Sequence, residues 1–253
     1  MRVHAGPIKA MDYDINGHYL ISGSDDGHVI ISHARAFRRF EPMGHTTTPN
    51  DCDVVAICTY TKEKSGVIQV IATVNDSKKK RNGATRMIIF ELTENIAHDP
   101  PYASLKHDLL DDSIKKVIFN FTTPSYGAAL TSGNIFFCLA QNTKHIHKII
   151  IPDEAPKKEY SKDSYLEPEV TIPAHSLPSG MVCLSAHQKW LASCSPDGAG
   201  HIRGVGTMER TVDINPHSYT TGGVHSIKFS FDALHVVTTG FDGTLACYKW
   251  DEG

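Results

Sequence analysis

The stretch VVTTGFDGTLACYKW, Val236 to Trp250, sets the reading of the whole chain. An apolar run leads through small residues into Asp242-Gly243, and a second apolar run follows. Asp-Gly between two strand-like runs is a strong hairpin signal, because both residues tolerate the positive φ of a tight turn. Two other segments align with it: YLISGSDDGHVIIS, which holds Asp26-Gly27, and WLASCSPDGAGHIRGV, which holds Asp197-Gly198. A self-similar unit of this kind is the signature of a repeat architecture and outranks any local motif in deciding the fold.

The likeness extends outward from the turn. A hydroxyl residue stands four positions before each Asp: Ser22, Ser193 and Thr238. A histidine stands further upstream: His4, His175 and His217, at separations of 22, 22 and 25 residues from the Asp. His, then Ser or Thr, then Asp, recurring in one order at nearly one spacing, resembles the WD40 family. The resemblance implies a β-propeller in which these side chains form a buried hydrogen-bond relay inside each blade, normally completed by a Trp on the third strand. Here Tyr248 stands at that position of the last repeat, and the other two repeats lack Trp there. A short four-stranded blade has little core of its own, so a satisfied polar network would tie its strands together.

Two weaker units lie between. One begins near Gly44-His45 and runs through DVVAICTY, VIQVIATV and RMIIFEL; the other begins near Lys106-His107 and runs through IKKVIFNF, YGAALTSG and NIFFCLA, with HIHKIII as a fourth strand. Neither has the Asp-Gly hairpin; Ser132-Gly133-Asn134 is read as the turn in the second. The expectation is an all-β, WD40-type β-propeller over residues 1–253, with about five blades at 4–43, 44–105, 106–173, 174–216 and 217–253. Their fourth strands are expected around 37–40, 102–105, 168–172 and 210–214. The last unit stops after its third strand, which suggests an open or partial propeller from a longer chain, completed elsewhere to about seven blades; a closed five-blade ring is the alternative.

The 253 residues, 40% hydrophobic and 21% charged, suffice for one sizeable core. A net charge of -3 gives no general pull toward nucleic acid or anionic lipid. No apolar run approaches the roughly 18 residues of a membrane span, and no secretory or transit signal opens the chain. The six cysteines form no C-x-x-C pair and sit in runs such as FFCLA and MVCLS, as small hydrophobes of a reducing compartment would.

GAGHIRG, Gly198 to Gly204, puts Arg203 where a dinucleotide fingerprint needs its third glycine, and it leads into a strand. His145 and His147 could share a strand face, yet no carboxylate or Cys stands near in sequence to complete a metal set. The acid pairs Asp51/Asp53 and Asp111/Asp112 read as solvated loop residues, and Ser195 lacks a G-x-S-x-G elbow. The His–Ser/Thr–Asp sets recur per repeat, whereas a catalytic set occurs once. No enzyme activity, cofactor, metal or small-molecule substrate is expected.

Three insertions interrupt the repeat. Residues 77–84 carry Lys78, Lys79, Lys80 and Arg81, either a solvated turn or a basic tip for an acidic partner such as a tubulin tail. Residues 94–112 read as an inter-blade connection, and residues 152–169, rich in charge and Pro, as a flexible surface loop. GGVHSIKFSFDALHVVTTGFDGTLACYKW is similar to the last WD repeat of the large cilia- and flagella-associated WD-repeat proteins, and AGPIKAMDYDINGHYLISGSDDGHVIIS is compatible with them. That resemblance implies a non-catalytic scaffold of the motile axoneme, in the cytoplasm and cytoskeleton. It would tether dynein machinery to doublet microtubules through axonemal proteins, tubulin or dynein tether subunits, with no nucleic acid or membrane involved. A cytoplasmic adaptor, such as a ubiquitin-ligase substrate receptor or trafficking scaffold, is the alternative.

Overall fold

The computed structural model describes residues 4–14, 16–34, 42–48, 52–62, 67–75, 85–92, 116–123, 125–131, 134–140, 143–178 and 180–251. They form twenty strands in five sheets, with two three-residue 3-10 turns as the only helical elements among them. The first sheet holds β1 (Ile8–Tyr13), β2 (Tyr19–Ser24), β3 (His28–His33) and β4 (Pro42–Thr47). The second holds β5 (Asp53–Thr61), β6 (Ile68–Asn75), β7 (Thr85–Leu92) and β8 (Lys116–Phe121). The third starts with β9 (Ser125–Leu130), β10 (Ile135–Ala140) and β11 (His145–Ile150). The chain next forms β12 (Tyr165–Leu166), an added edge strand of the second sheet, and then β13 (Val170–Pro173), the fourth strand of the third. The fourth sheet is β14 (Met181–Leu184), β15 (Trp190–Cys194), β16 (Gly200–Gly204) and β17 (Arg210–Ile214), and the fifth is β18 (Val224–Phe229), β19 (His235–Gly240) and β20 (Leu245–Lys249). Within each sheet successive strands pair antiparallel; β12 on β8 is parallel. This is the all-β, blade-by-blade meander of a WD40 propeller-type fold.

The chain divides into two compact units: residues 1–124 with 152–166, and 125–151 with 167–253. In the first unit, Tyr19, Ile21, Val29 and Ile31 of the first sheet pack on Val54, Ile57, Val70, Ala72, Ile88 and Phe90 of the second. The alternation of β2 turns Ile21 toward the second sheet and Ser22 the other way. The sheets approach closely at Gly23, where an added Cβ would fall 2.4 Å from Val54 Cγ1. Asp12 ties them by accepting the Thr59 N–H at 2.9 Å.

In the second unit, Phe137, Leu139 and Ile146 of the third sheet pack on Val182 and Leu191 of the fourth. The other face of the fourth sheet presents Ala192, Cys194 and Ile202 to Val224, Ile227, Val236 and Trp250. β10 is buried along nearly its whole length, so IFFCLA reads as a continuous apolar run and not as an alternating one. β18 alternates, with Val224 and Ile227 buried and His225 and Lys228 exposed. Each fully buried large side chain here contributes about 1.5–3 kcal/mol relative to exposure.

The structure corrects three expectations. IKKVIFNF was expected to open the third unit, but β8 pairs with β7 and is the last antiparallel strand of the second sheet. YGAALTSG, NIFFCLA and HIHKIII accordingly shift by one place, becoming the first, second and third strands of the third sheet, and VTIP closes it. The boundary expected at 105/106 therefore falls after Phe121. The first fourth strand is Pro42–Thr47, beyond the expected 37–40; that segment and 102–105 lie outside the described residues. Arg210–Ile214 is a fourth strand as read, and β13 overlaps 168–172.

Second, only glycine takes a positive φ in the Asp-Gly turns: Gly27 at 80°, Gly198 at 89° and Gly243 at 77°. The Asp instead uses its carboxylate. Asp26 accepts the N–H of His28, Asp197 that of Ala199 and Asp242 that of Thr244, at 2.9, 3.0 and 2.9 Å.

Third, residues 152–166 are not a free surface loop. Tyr165–Leu166 pairs with Asn120–Phe121, and the insertion caps the β7–β8 edge through buried polar groups. Arg86, whose side chain is 1% exposed, donates to Glu159 Oε1 at 2.6 Å and to the Tyr160 hydroxyl. Asn120 Nδ2 donates to Glu159 O at 2.6 Å and to Ser164 Oγ at 3.1 Å.

Candidate functional site

The residues singled out from the repeat come together in three sheets. In the first, His4 Nδ1 lies 3.1 Å from Asp26 Oδ2, and its Nε2 lies 2.9 Å from Ser22 Oγ. In the fifth, His217 Nδ1 lies 3.1 Å from Asp242 Oδ2 and Nε2 lies 3.0 Å from Thr238 Oγ1. In the fourth, His175 Nε2 lies 3.0 Å from Ser193 Oγ, but Nδ1 is 3.5 Å from Asp197 Oδ2, beyond hydrogen-bond distance. A carboxylate on Nδ1 selects the tautomer in which Nδ1–H donates and Nε2 accepts the hydroxyl proton. The chain Asp–His–Ser/Thr then links the turn between the second and third strands, the loop before the first strand and the second strand itself.

The carboxylates are anchored further. Asp26 also accepts Ala5 N–H at 2.8 Å, and Asp197 accepts Ser176 N–H at 2.7 Å. Burial alone would raise the Asp26 pKa, but the N–H groups of His28 and Ala5 and the His4 imidazole outweigh it and bring it to about 2. Asp242 is lowered too, first by the Thr244 hydroxyl and its N–H. Tyr248 stands opposite Val236, and no hydrogen bond links it to Thr238 among the described residues.

The fourth sheet differs from the other two. Opposite the relay hydroxyls stand Ile30 in the first sheet and Ala246 in the fifth, but His201 in the fourth. His201 stacks on His175 with ring centroids 4.5 Å apart and 25° between planes. Its Nδ1 lies 2.7 Å from Asp213 Oδ1, and its Nε2 lies 3.4 Å from Arg210 Nη1. Arg203 is buried beside them, donating to Met208 O at 3.3 Å and Pro173 O at 3.1 Å. Burial, then the His201 charge, takes the His175 pKa down to about 4; His201 is lowered by burial. From spacing alone this stretch resembles a glycine motif, which leaves His201 unremarked. The signal was its place four residues after Asp197, opposite Ser193.

Lys78, Lys79, Lys80 and Arg81, and likewise Asp51, Asp111 and Asp112, lie outside the described residues. GAGHIRG forms the turn and strand β16. Ser195 is buried and donates to Leu177 O at 3.0 Å. His147 is buried, which pushes its pKa down, with His145 adding to the effect. Among the described residues no three His, Cys, Asp or Glu side chains are placed to hold a metal ion. Five cysteines are buried and Cys247 is exposed.

Comparison with known proteins bears on the same repeats. The family described as WD domain, G-beta repeat, matches residues 1–31 and 208–249, which span the first and last relays. Cilia- and flagella-associated protein 43 of Xenopus laevis is 26% identical over 253 residues, covering 98% of this chain and 15% of that protein. Its Mus musculus counterpart is 27% identical over 248 residues, covering 96% and 14%. The Chlamydomonas reinhardtii protein of the same name is 26% identical over 113 residues, 42% of this chain. The chain thus spans about 15% of the length of the relatives it matches along its whole length. It carries matches to the WD repeat over its first and last relays, and over nearly all of its length it is similar to cilia- and flagella-associated protein 43.

Proposed function

We propose that this chain is a non-catalytic protein-interaction scaffold of the motile cilium or flagellum, part of an axonemal component that helps tether dynein machinery to doublet microtubules. The observation that carries this reading is the 26% identity across 98% of the chain to a protein named for cilia and flagella. The relays support a structural use of the His, Ser/Thr and Asp side chains. They recur in three sheets and are spent on the backbone and on each other. Side chains suited to protein contact stand outward, among them Phe231, Leu245 and Tyr219, at 79%, 66% and 63% exposure. Its partners are then axonemal proteins, with tubulin tails a natural match for the cations at Lys78–Arg81.

The test is localisation and proximity labelling of the tagged full-length gene product in a ciliated cell. Axonemal signal, with dynein and tubulin among the labelled neighbours, is expected. Uniform cytosolic signal with ubiquitin-ligase or trafficking neighbours would overturn the axonemal reading in favour of a cytoplasmic adaptor.

A further inference from the structure

The stacked imidazoles of the fourth sheet are held as neutral rings by what surrounds them. His201 Nδ1 faces the Asp213 carboxylate, so it carries the proton, and Nε2 faces the Arg210 guanidinium, which can only donate. A second proton on His201 would oppose that guanidinium. His175 spends Nε2 on the Ser193 hydroxyl, and its ring lies against His201. Its side chain is 2% exposed. The charged groups facing the pair are Asp197 from the turn before β16, Arg203 from β16, and Asp213 and Arg210 from β17. The third sheet offers the Lys144 carbonyl, which accepts the His175 N–H at 3.3 Å, while the Lys144 side chain is solvent-exposed. Two carboxylates and two guanidinium groups already balance, so a proton on either ring adds uncompensated charge. In the first and fifth sheets Ile30 and Ala246 occupy the place of His201.

We propose that the His175–His201 stack makes the sheet β14–β17 a proton-sensitive element, which loosens locally when the rings take up protons and closes again when they lose them. Opening frees both imidazoles to bind protons at their ordinary affinity. The folded pKa of His175 lies near 4 against an ordinary 6.5, so proton uptake favours the open form. The closed form therefore loses stability as pH falls through the interval from 6.5 to 4, and is unaffected well above it. For His175 alone, the opening constant rises about 20-fold between pH 7 and pH 5.

Hydrogen exchange of the full chain at pH 7 and pH 5, corrected for intrinsic exchange rates, reads this directly. Opening of β15 and β16 amides is expected to rise about 20-fold. In His201→Ile, which copies the first sheet, the rise should shrink, because the His201 charge that opposes a proton on His175 is gone while the burial of His175 remains. Arg210→Gln changes a half-exposed side chain and guards against a misfolded first variant; by removing the donor at Nε2 it should also shrink the rise. An acid response undiminished in both variants, or spread evenly over all five sheets, overturns the proposal.

Discussion

Replacing Asp26 tests what a relay carboxylate contributes. It accepts from His4 Nδ1, Ala5 N–H and His28 N–H, and its side chain is 10% exposed. In Asp26→Ala the three donors lose their acceptor. Water can reach Ala5, so that loss is small, roughly 0.5 kcal/mol. The His28 N–H is half-buried and costs about 1 kcal/mol. The His4 imidazole is 2% exposed and cannot be rehydrated in place, which adds about 1–2 kcal/mol. The sum, about 3 kcal/mol, is a large share of an ordinary domain's stability. Asp26→Asn keeps one acceptor oxygen and should cost about half as much.

The assay has to report on the first unit. Both tryptophans, Trp190 and Trp250, lie in the second, so hydrogen exchange of β2 and β3 amides is the readout of choice. The sign of the pH dependence follows from the depressed pKa. A carboxyl at about 2 when folded and 3.8 otherwise stabilises fully above 3.8, and that contribution fades as pH falls toward 2. The gap between the native chain and Asp26→Ala should therefore narrow below pH 4. A cost under about 0.5 kcal/mol, or a gap indifferent to pH across that window, would refute the relay as a source of stability.

Three further outcomes are expected. Glu159→Ala strands the buried Arg86 guanidinium and should loosen residues 152–166 by about 1–2 kcal/mol, seen as roughly 5–30-fold faster tryptic cleavage at Lys157 and Lys158; adding Arg86→Met should restore most of the resistance. Gly223→Ala should cost more than about 2 kcal/mol, since φ is +72° and a Cβ would meet Pro196 O at 2.2 Å, whereas Gly206→Ala, with nothing within 4 Å, should cost less than about 0.5 kcal/mol; urea unfolding followed by tryptophan fluorescence compares them. Trp250→Ala removes the edge-on contacts to Trp190 and Phe229 and should cost about 3 kcal/mol, with loss of the near-ultraviolet circular dichroism signal of the Trp190–Trp250 pair.

The three sheets with Asp-Gly turns were legible because turn chemistry, hydroxyl and histidine sit at fixed offsets in one short stretch. The third sheet was misread by one strand for a physical reason. IKKVIFNF, IFFCLA and HIHKII are all apolar enough to be any strand of a blade, and the turn at Asn134, with φ 59°, carries no Asp to mark which hairpin it closes. Arg86 and Asn120 were invisible because their partners lie between 39 and 74 residues away. The segment that buries them has the composition of a solvated loop. His201 escaped notice because its importance depends on register across a hairpin, which spacing alone does not display.

The insertion at 152–166 has a consequence for biosynthesis. Sequence order would let the first unit finish once Pro124 is made, yet its last strand is encoded after β9, β10 and β11. A nascent chain that has emerged only through residue 151 holds β8 as an uncovered edge, with Arg86 and Asn120 lacking their Glu159, Tyr160 and Ser164 partners. At about 5–20 residues per second that exposure lasts a few seconds on the ribosome. A truncation at 124, placed where contacts in the linear chain end, would make the exposure permanent and yield a fragment prone to pair its free edge with another.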